Sequence, residues 1–277
     1  MVLLDLMANA AAERRYELTV AHFDHGLRPG SRADRQFVQG AAKRYDLPIE
    51  YHEANLGRAS EAAARTARHG WLASRAKHHH AQVVTAHHQD DLIETSLLNL
   101  ARGSGRRGLA PMQSGPVLRP LLGATRAQLR DYAAARALPW REDPTNADTT
   151  NPRNYLRHRL LAGASPHWRQ HYLGQIYELA KLNQQIDQTL APQLAQHRTE
   201  QSSYAFPKAL IRDLSLPELE ELIVAAARSL RPNLEPKQRT VQELALFAKT
   251  GAPHTHRPLR DGIQLKVDAD RVFLVVS

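Results

Sequence analysis

Val83-Val84-Thr85-Ala86-His87-His88-Gln89-Asp90-Asp91-Leu92-Ile93-Glu94-Thr95 is the stretch that decides the fold. A β-branched run gives way to small and imidazole side chains, then to an acid-led segment with Ile93, Leu97 and Leu100 on one helical stripe. That pattern predicts a strand, a turn and a helix. Ligands of an open parallel sheet sit beyond the carboxyl ends of its strands, so two histidines and three acids fall where chemistry is usually done. Asp91 and Glu94 are three apart and His87 and Asp91 four apart, so each pair can share one face of the helix start. The macrodipole alone favours acids in a first turn. The density of titratable groups, five within positions 87–94, is what singles the cluster out.

Working outward, 277 residues with 42% hydrophobic content suffice for a buried core and suit two domains better than one. No apolar run approaches the roughly 20 residues that span a bilayer, and no charged-then-apolar leader opens the chain, so a soluble, cytoplasmic protein is expected. The absence of cysteine excludes disulfides, thiolate metal sites, iron–sulfur clusters and cysteine nucleophiles together. The formal charge is +9. Its excess is concentrated between Glu94 and Asp131, where Arg102, Arg106, Arg107, Arg119, Arg126 and Arg130 meet no acid, and between Asp148 and Glu178, where Arg153, Arg157, Arg159 and Arg169 do the same. Arginine suits forked contact with phosphate oxygens, which points to a polyanionic partner, nucleic acid first.

Alternating elements fill the first part of the chain. Met1 to Ala12 reads as a helix, Leu18 to Phe23 as a strand, and Ser31 with Asp34 as the cap of a helix carrying Phe37, Val38 and Ala41. Ile49 to His52 is the next strand, and Ser60 can cap a helix with Ala64, Ala67 and Trp71 on one side. His78-His79-His80 reads as a solvated helix end. Gly103-Ser104-Gly105-Arg106-Arg107-Gly108 reads as a flexible basic loop able to bring amides near a phosphate, though it lacks the Walker ending. Thr125 with Gln128 forms a capping box for a helix through Arg136, and Leu138 to Arg141 reads as a final strand. This alternation predicts an α/β fold, a doubly wound parallel sheet over residues 1–163. Long polar helices then follow (His167 to Gln196, Pro217 to Leu230, Pro236 to Lys249), with short strands at Ile263 to Val267 and Val272 to Val276. Residues 164–277 are therefore expected to form a smaller, mainly helical domain, to which the resemblance described next assigns tRNA binding.

The motifs Ala21-His22-Phe23-Asp24-His25-Gly26-Leu27-Arg28, Ala86 to Thr95, Arg102-Gly103-Ser104-Gly105 with Gly108-Leu109, Arg119-Pro120-Leu121-Leu122, and Glu142-Asp143-Pro144-Thr145-Asn146 with Arg153-Asn154 resemble, in order and spacing, the tRNA(Ile)-lysidine synthetases of the PP-loop superfamily. The resemblance covers roughly Met1 to Leu161 and implies an adenine nucleotide alpha hydrolase-like fold. It also implies a carbon–nitrogen ligase: ATP, with Mg2+, adenylates the C2 oxygen of the wobble cytidine of a CAU-anticodon tRNA(Ile), and the ε-amine of free L-lysine displaces AMP. By family position Asp91 and Glu94 hold the lysine. His88 and Asp90 support nucleotide, magnesium or base placement, and Arg153 and Arg157 neutralise phosphate. His22, Asp24 and His25 join Asp90 and Arg153 as cofactor-binding candidates, His88 and Arg157 join the catalytic set, and Arg102, Arg106, Arg107 and Arg119 are expected to contact tRNA. No metal ligand is assigned, no membrane is expected, and a homodimer is left open.

Three departures from the family pattern stand out. Asn151-Pro152-Arg153-Asn154-Tyr155 replaces an aromatic-initiated segment, and Arg68-His69 stands where the family commonly has Arg-Tyr. The family's opening strand and ATP-gripping loop Ser-Gly-Gly-x-Asp-Ser do not occur in these residues. The resemblance therefore implies that the chain begins one residue past that loop, through a start assigned at an internal methionine or a truncated gene. Strands flanking the lost one would be left without a shared neighbour, and this polypeptide by itself would be inactive. Two rival readings compete: a non-catalytic tRNA-binding protein of the same fold, and a metal-dependent phosphoesterase with His87, His88, Asp90 and Asp91 as ligands. A thiolating relative is disfavoured by the lack of cysteine.

Overall fold

The computed structural model describes residues 1–14, 16–24, 31–54, 61–113, 115–141, 148–200, 203–232, 234 and 236–276. In chain order the elements are α1 (Val2–Arg14), β1 (Val20–Asp24), α2 (Ser31–Arg44), β2 (Ile49–Glu53), α3 (Glu61–His78), β3 (Val83–Val84), α4 (Gln89–Ala101), α5 (Arg106–Leu109), β4 (Val117–Leu118), α6 (Arg126–Ala135) and α7 (Pro152–Tyr155). A π-helical turn (Leu156–Leu160) and a 3-10 turn (Leu161–Gly163) lead to α8 (Pro166–His197), β5 (Arg198–Glu200), β6 (Ser203–Pro207), α9 (Lys208–Asp213), α10 (Leu216–Leu230), α11 (Gln238–Thr250), β7 (Thr255–Pro258), β8 (Ile263–Val267) and β9 (Arg271–Val276). Two compact units result: Met1–Ile93 with Ser114–Tyr155, and Glu94–Gln113 with Leu156–Ser277. The second unit thus takes in a segment lying well before the boundary expected near Gly163.

In the first unit β1 pairs in parallel with β2, Val20 opposite Ile49 and Asp24 opposite Glu53, and β3 pairs in parallel with β4, Val83 opposite Val117. Among the described residues these are two separate two-stranded sheets. Polar staples tie the helices together. Asp5 of α1, 2% exposed, accepts hydrogen bonds from Tyr45 Oη and Tyr132 Oη, both at 2.7 Å, and faces the Arg136 guanidinium. Burial pushes the Asp5 carboxyl up, but the bonds from Tyr132, Tyr45 and Arg136 more than reverse this and leave it below its ordinary value. Glu50 of β2 is bridged by Arg75 of α3 at 2.6 and 2.8 Å and by His79 at 2.8 Å. Bonds from Arg75, then His79, hold its carboxyl at about 2. His79 is therefore bonded to the sheet and is more than the solvated helix end expected.

The second unit is built on an antiparallel sheet of order β5-β6-β9-β8-β7. Alternation buries Ile263, Leu265 and Val267 of β8 and Val272 and Leu274 of β9 against Leu219, Leu222, Ile223 and Ala226 of α10 and Leu244 and Ala245 of α11. Each such leucine or isoleucine contributes roughly 1.5–3 kcal/mol by leaving water. Ser215 and Glu218 close a capping box at α10, just as Thr125 and Gln128 do at α6.

Several expectations need correcting. Leu138 to Arg141 is not a strand. Arg136 caps α6, Ala137 takes a positive φ of 48°, and only Leu138 turns inward, so the segment is spent on ending a helix. The strand beside β3 is instead Val117–Leu118. The second unit carries three strands beyond the two expected, β5, β6 and β7. On α4 the buried residues are Leu92, Ile93, Glu94 and Ser96, while Leu100 is exposed. The Ser60 cap, His25, Gly26 to Arg28 and Glu142 to Asn146 lie outside the described residues.

Candidate functional site

Helix α4 starts on a cap that its own side chains build. His88 Nδ1 accepts the Asp90 amide at 3.2 Å, and Asp91 Oδ2 accepts the His88 amide at 3.0 Å, the two reciprocal bonds of a capping box with imidazole in place of hydroxyl. Because His88 Nδ1 is an acceptor, its proton sits on Nε2, 3.5 Å from Asp91 Oδ2. The sequence places Asp91 and His88 together, and the structure shows that each first serves the helix end.

Beside this cap in the first unit lies a cavity of about 300 Å³ lined by Arg68, His69, Leu72, Thr85, Ala86, His87 and Asp91. Thr85 Oγ1 sits 2.8 Å from His87 Nδ1 and fixes that ring. Burial lowers the His87 pKa, Asp91 opposes this, and Arg119, Arg65 and Arg68 lower it further, to about 4. His69 is lowered in the same sense by burial and then by Arg65, Arg68 and Arg119. Burial and Arg65 also pull the Arg68 and Arg119 guanidiniums below their usual values. Near neutral pH the cavity therefore holds uncharged imidazoles, one carboxylate and a surplus of guanidinium charge, an environment for an anionic or zwitterionic ligand. Arg119, expected to contact tRNA, is part of this environment, its Nη1 donating to Val117 O at 3.1 Å. Arg65, Arg68, His69 and Thr85 were missed by sequence reasoning. As site residues they had little sequence signal beyond the departure at Arg68-His69 and the place of Thr85 in the stretch after β3.

Glu94 belongs to the second unit and is fully buried. Arg157, in the π-helical turn, grips it with both forks, Nε to Oε1 at 2.8 Å and Nη2 to Oε2 at 2.9 Å. π-helical turns are rare and frequent at functional sites. Ser96 Oγ, also buried, donates to Leu109 O at 2.7 Å, and Asn99 Nδ2 donates to Gly108 O at 2.8 Å, so α4 holds the following loop in place.

That loop is the clearest departure from the sequence reading. Arg106 and Arg107 form α5 and point at acids within the unit. Arg106 Nε donates to Glu221 at 2.6 Å, and the same guanidinium also bonds Glu221 Oε2 and Asn183 Oδ1. Arg107 Nη1 donates to Asp187 at 2.7 Å. The glycines permit close packing instead of a phosphate cradle: a Cβ on Gly105 would come 2.8 Å from Gln238 Oε1, and one on Gly108 would come 2.6 Å from Ser104 Cβ. Gly103, at φ 69°, turns the chain out of α4. Arg102 is exposed.

The other candidates are dispersed. His22 and Asp24 lie on β1, Asp24 buried, and burial lowers the His22 pKa against the opposing pull of Asp24. Arg153 sits in α7, its amide donating to Asn151 Oδ1 at 2.9 Å. Among the described residues no three His, Asp or Glu side chains converge as a metal set, so the phosphoesterase reading has no ligand cluster to stand on. Among the same residues no helix is long and apolar enough to cross a membrane.

Parallel strands followed by helices, with polar side chains gathered past the end of β3, define a nucleotide-binding type of α/β domain. Residues 1–164 match the PP-loop domain family, and the chain belongs to it. It is similar to the tRNA(Ile)-lysidine synthases of Alkalilimnicola ehrlichii (44% identity over 178 residues, 60% of this chain and 40% of that protein) and Pseudomonas aeruginosa (38% identity, 67% and 44%). A longer match joins it to the Pseudomonas putida protein of the same name, at 32% identity over 92% of this chain and 59% of that one. The chain thus spans about two fifths of the first two relatives. Among solved structures, the U34-tRNA thiolase NcsA from Methanococcus maripaludis shares the fold, with a TM-score of 0.52 at 11% identity over 65% of this chain and 68% of that one.

Proposed function

We propose that this chain carries the lysine-binding and RNA-binding parts of an ATP-dependent tRNA(Ile)-lysidine synthetase acting in the cytoplasm. The observation that carries the reading is the cavity at the start of α4, where one carboxylate, Asp91, faces a surplus of guanidinium charge. A free amino acid presents both signs, so Asp91 takes an ammonium of lysine and Arg68 its α-carboxylate. Glu94 acts through Arg157: both its oxygens meet that guanidinium, which fixes a cation for phosphate.

In the reaction the C2 oxygen of the wobble cytidine attacks the α-phosphorus of ATP and pyrophosphate leaves. The ε-amine of lysine, having lost a proton, then attacks C2, and AMP departs with the oxygen. The chain's share is positioning and charge neutralisation, with water displaced from a small cavity. His87, uncharged near neutral pH, adds no cation against the incoming amine. The chain offers no all-protein metal cage among the described residues. Magnesium would ride on the nucleotide phosphates with one or two carboxylates, for which Asp24 and Asp90 are the candidates by family position.

The test is incubation with ATP, lysine and CAU-anticodon tRNA(Ile), followed by mass analysis of the nucleosides. A lysine adduct on cytidine that disappears in Asp91→Asn supports the reading, and an undiminished adduct in that variant overturns the role of Asp91. The acid-free, arginine-bearing stretches 95–130 and 149–177 also suit a second reading, RNA binding without turnover. It predicts salt-sensitive tRNA binding with no lysine-dependent AMP release.

A further inference from the structure

Trp168 and Tyr172, one turn apart at the start of α8, are stacked with centroids 5.2 Å apart and planes within 7°. Ser165 Oγ accepts the Trp168 amide at 3.1 Å and fixes this first turn. Tyr172 Oη lies 3.1 Å from Ser96 Oγ. The Ser96 hydrogen goes to Leu109 O, so Tyr172 is the donor and its ring is pinned to α4, two residues beyond Glu94. Trp168 lies on that anchored ring and is itself only half-buried.

In sequence the indole is flanked by arginine and imidazole side chains. No acid occurs between Asp148 and Glu178, and His158, Arg159, His167 and His171 are exposed within that stretch. Arg169 is braced by Nη2 donating to Leu161 O at 2.5 Å. A fixed, partly exposed aromatic face on an arginine-bearing segment suits capture of an unstacked nucleobase: the ring takes the π-face while arginine takes the backbone.

We infer that Trp168 is a positioning residue, the stacking platform for the pyrimidine turned out of the anticodon loop, held by Tyr172 and Ser96 in the same unit as the Glu94–Arg157 pair. This rests on the reading proposed above. A base drawn from its loop needs such a surface to offset the stacking it gives up.

The experiment titrates the chain with a synthetic CAU anticodon stem-loop, and with the same hairpin lacking the wobble base, following binding by anisotropy and indole emission. Trp168→Ala is expected to weaken binding of the intact hairpin about five- to hundredfold, the range for one base stacked on an aromatic. It should leave the abasic hairpin unchanged. Trp168→Phe should restore most of the affinity while abolishing the quenching expected of the parent chain, which would also show that the helix still folds. Equal binding of the intact hairpin by parent and Trp168→Ala, or an equal loss on both hairpins, overturns the platform and leaves RNA binding standing. Failure of the parent chain to bind either hairpin overturns the RNA-binding reading and the platform with it.

Discussion

Arg157→Met puts the buried ion pair of the second unit to the test. Glu94 is fully buried and both its oxygens meet the Arg157 guanidinium, itself only 19% exposed. Removing one member of a buried, forked ion pair costs about 3–5 kcal/mol, because the remaining charge stays away from water. Glu94→Met together with Arg157→Met should return to within about 1 kcal/mol of the parent, since two apolar chains of similar length remove the charge and its partner at once. At about 2–4 °C per kcal/mol for a chain of this size, the single variant should melt roughly 6–20 °C lower and the double variant close to the parent. Urea melts followed by far-UV circular dichroism measure both. A single variant within about 1 kcal/mol of the parent, or a double variant as unstable as the single, would refute the claim that Glu94 and Arg157 are a mutually dependent buried pair.

Three further outcomes follow from the same kind of reasoning. Asp5→Ala should cost about 2–4 kcal/mol by leaving the Tyr45 and Tyr132 hydroxyls without their acceptor. Because the Asp5 carboxyl is held below its ordinary value, its stabilisation is complete above about pH 4 and lost below it, so urea midpoints of parent and variant should converge in acid. The His87 ring should titrate near pH 4 by nuclear magnetic resonance. The unfolded chain takes that proton near 6.5, so the stability tied to neutral His87 is full above about 6.5 and falls away toward 4, and a midpoint near 6.5 would contradict its burial. Arg106→Ala with Arg107→Ala should lower the melting point while leaving the salt dependence of RNA binding unchanged, whereas Arg102→Ala should reduce that slope by about one.

What the sequence revealed tracks how local each cause is. Capping at Thr125 and Gln128 is decided within four residues, and the α4 start is decided by His88, Asp90 and Asp91 themselves. Strand β4 escaped notice because two residues between Pro116 and Arg119 carry no period, and only pairing with Val83 and Val84 makes them a strand. Leu138 to Arg141 carried strand-like residues but had to end α6. The basic loop looked available for RNA because the partners of Arg106 and Arg107, Glu221 and Asp187, lie 115 and 80 residues away. The cavity was hidden for the same reason: Arg68, Thr85 and Asp91 meet only once α3 and β3 are in place.

Helix α4 opens in one unit and finishes in the other, and this has a practical bearing on how the polypeptide can be dissected. A fragment started at Leu156 would keep Tyr172, Asp187 and Glu221 but lose Ser96, Arg107 and Arg106, the groups that satisfy them. One started at Glu94 would retain those groups yet begin in mid-helix, on the acid that Arg157 clasps. A single cut therefore yields no clean C-terminal half, and limited proteolysis should leave 94–113 protected together with the residues after 156.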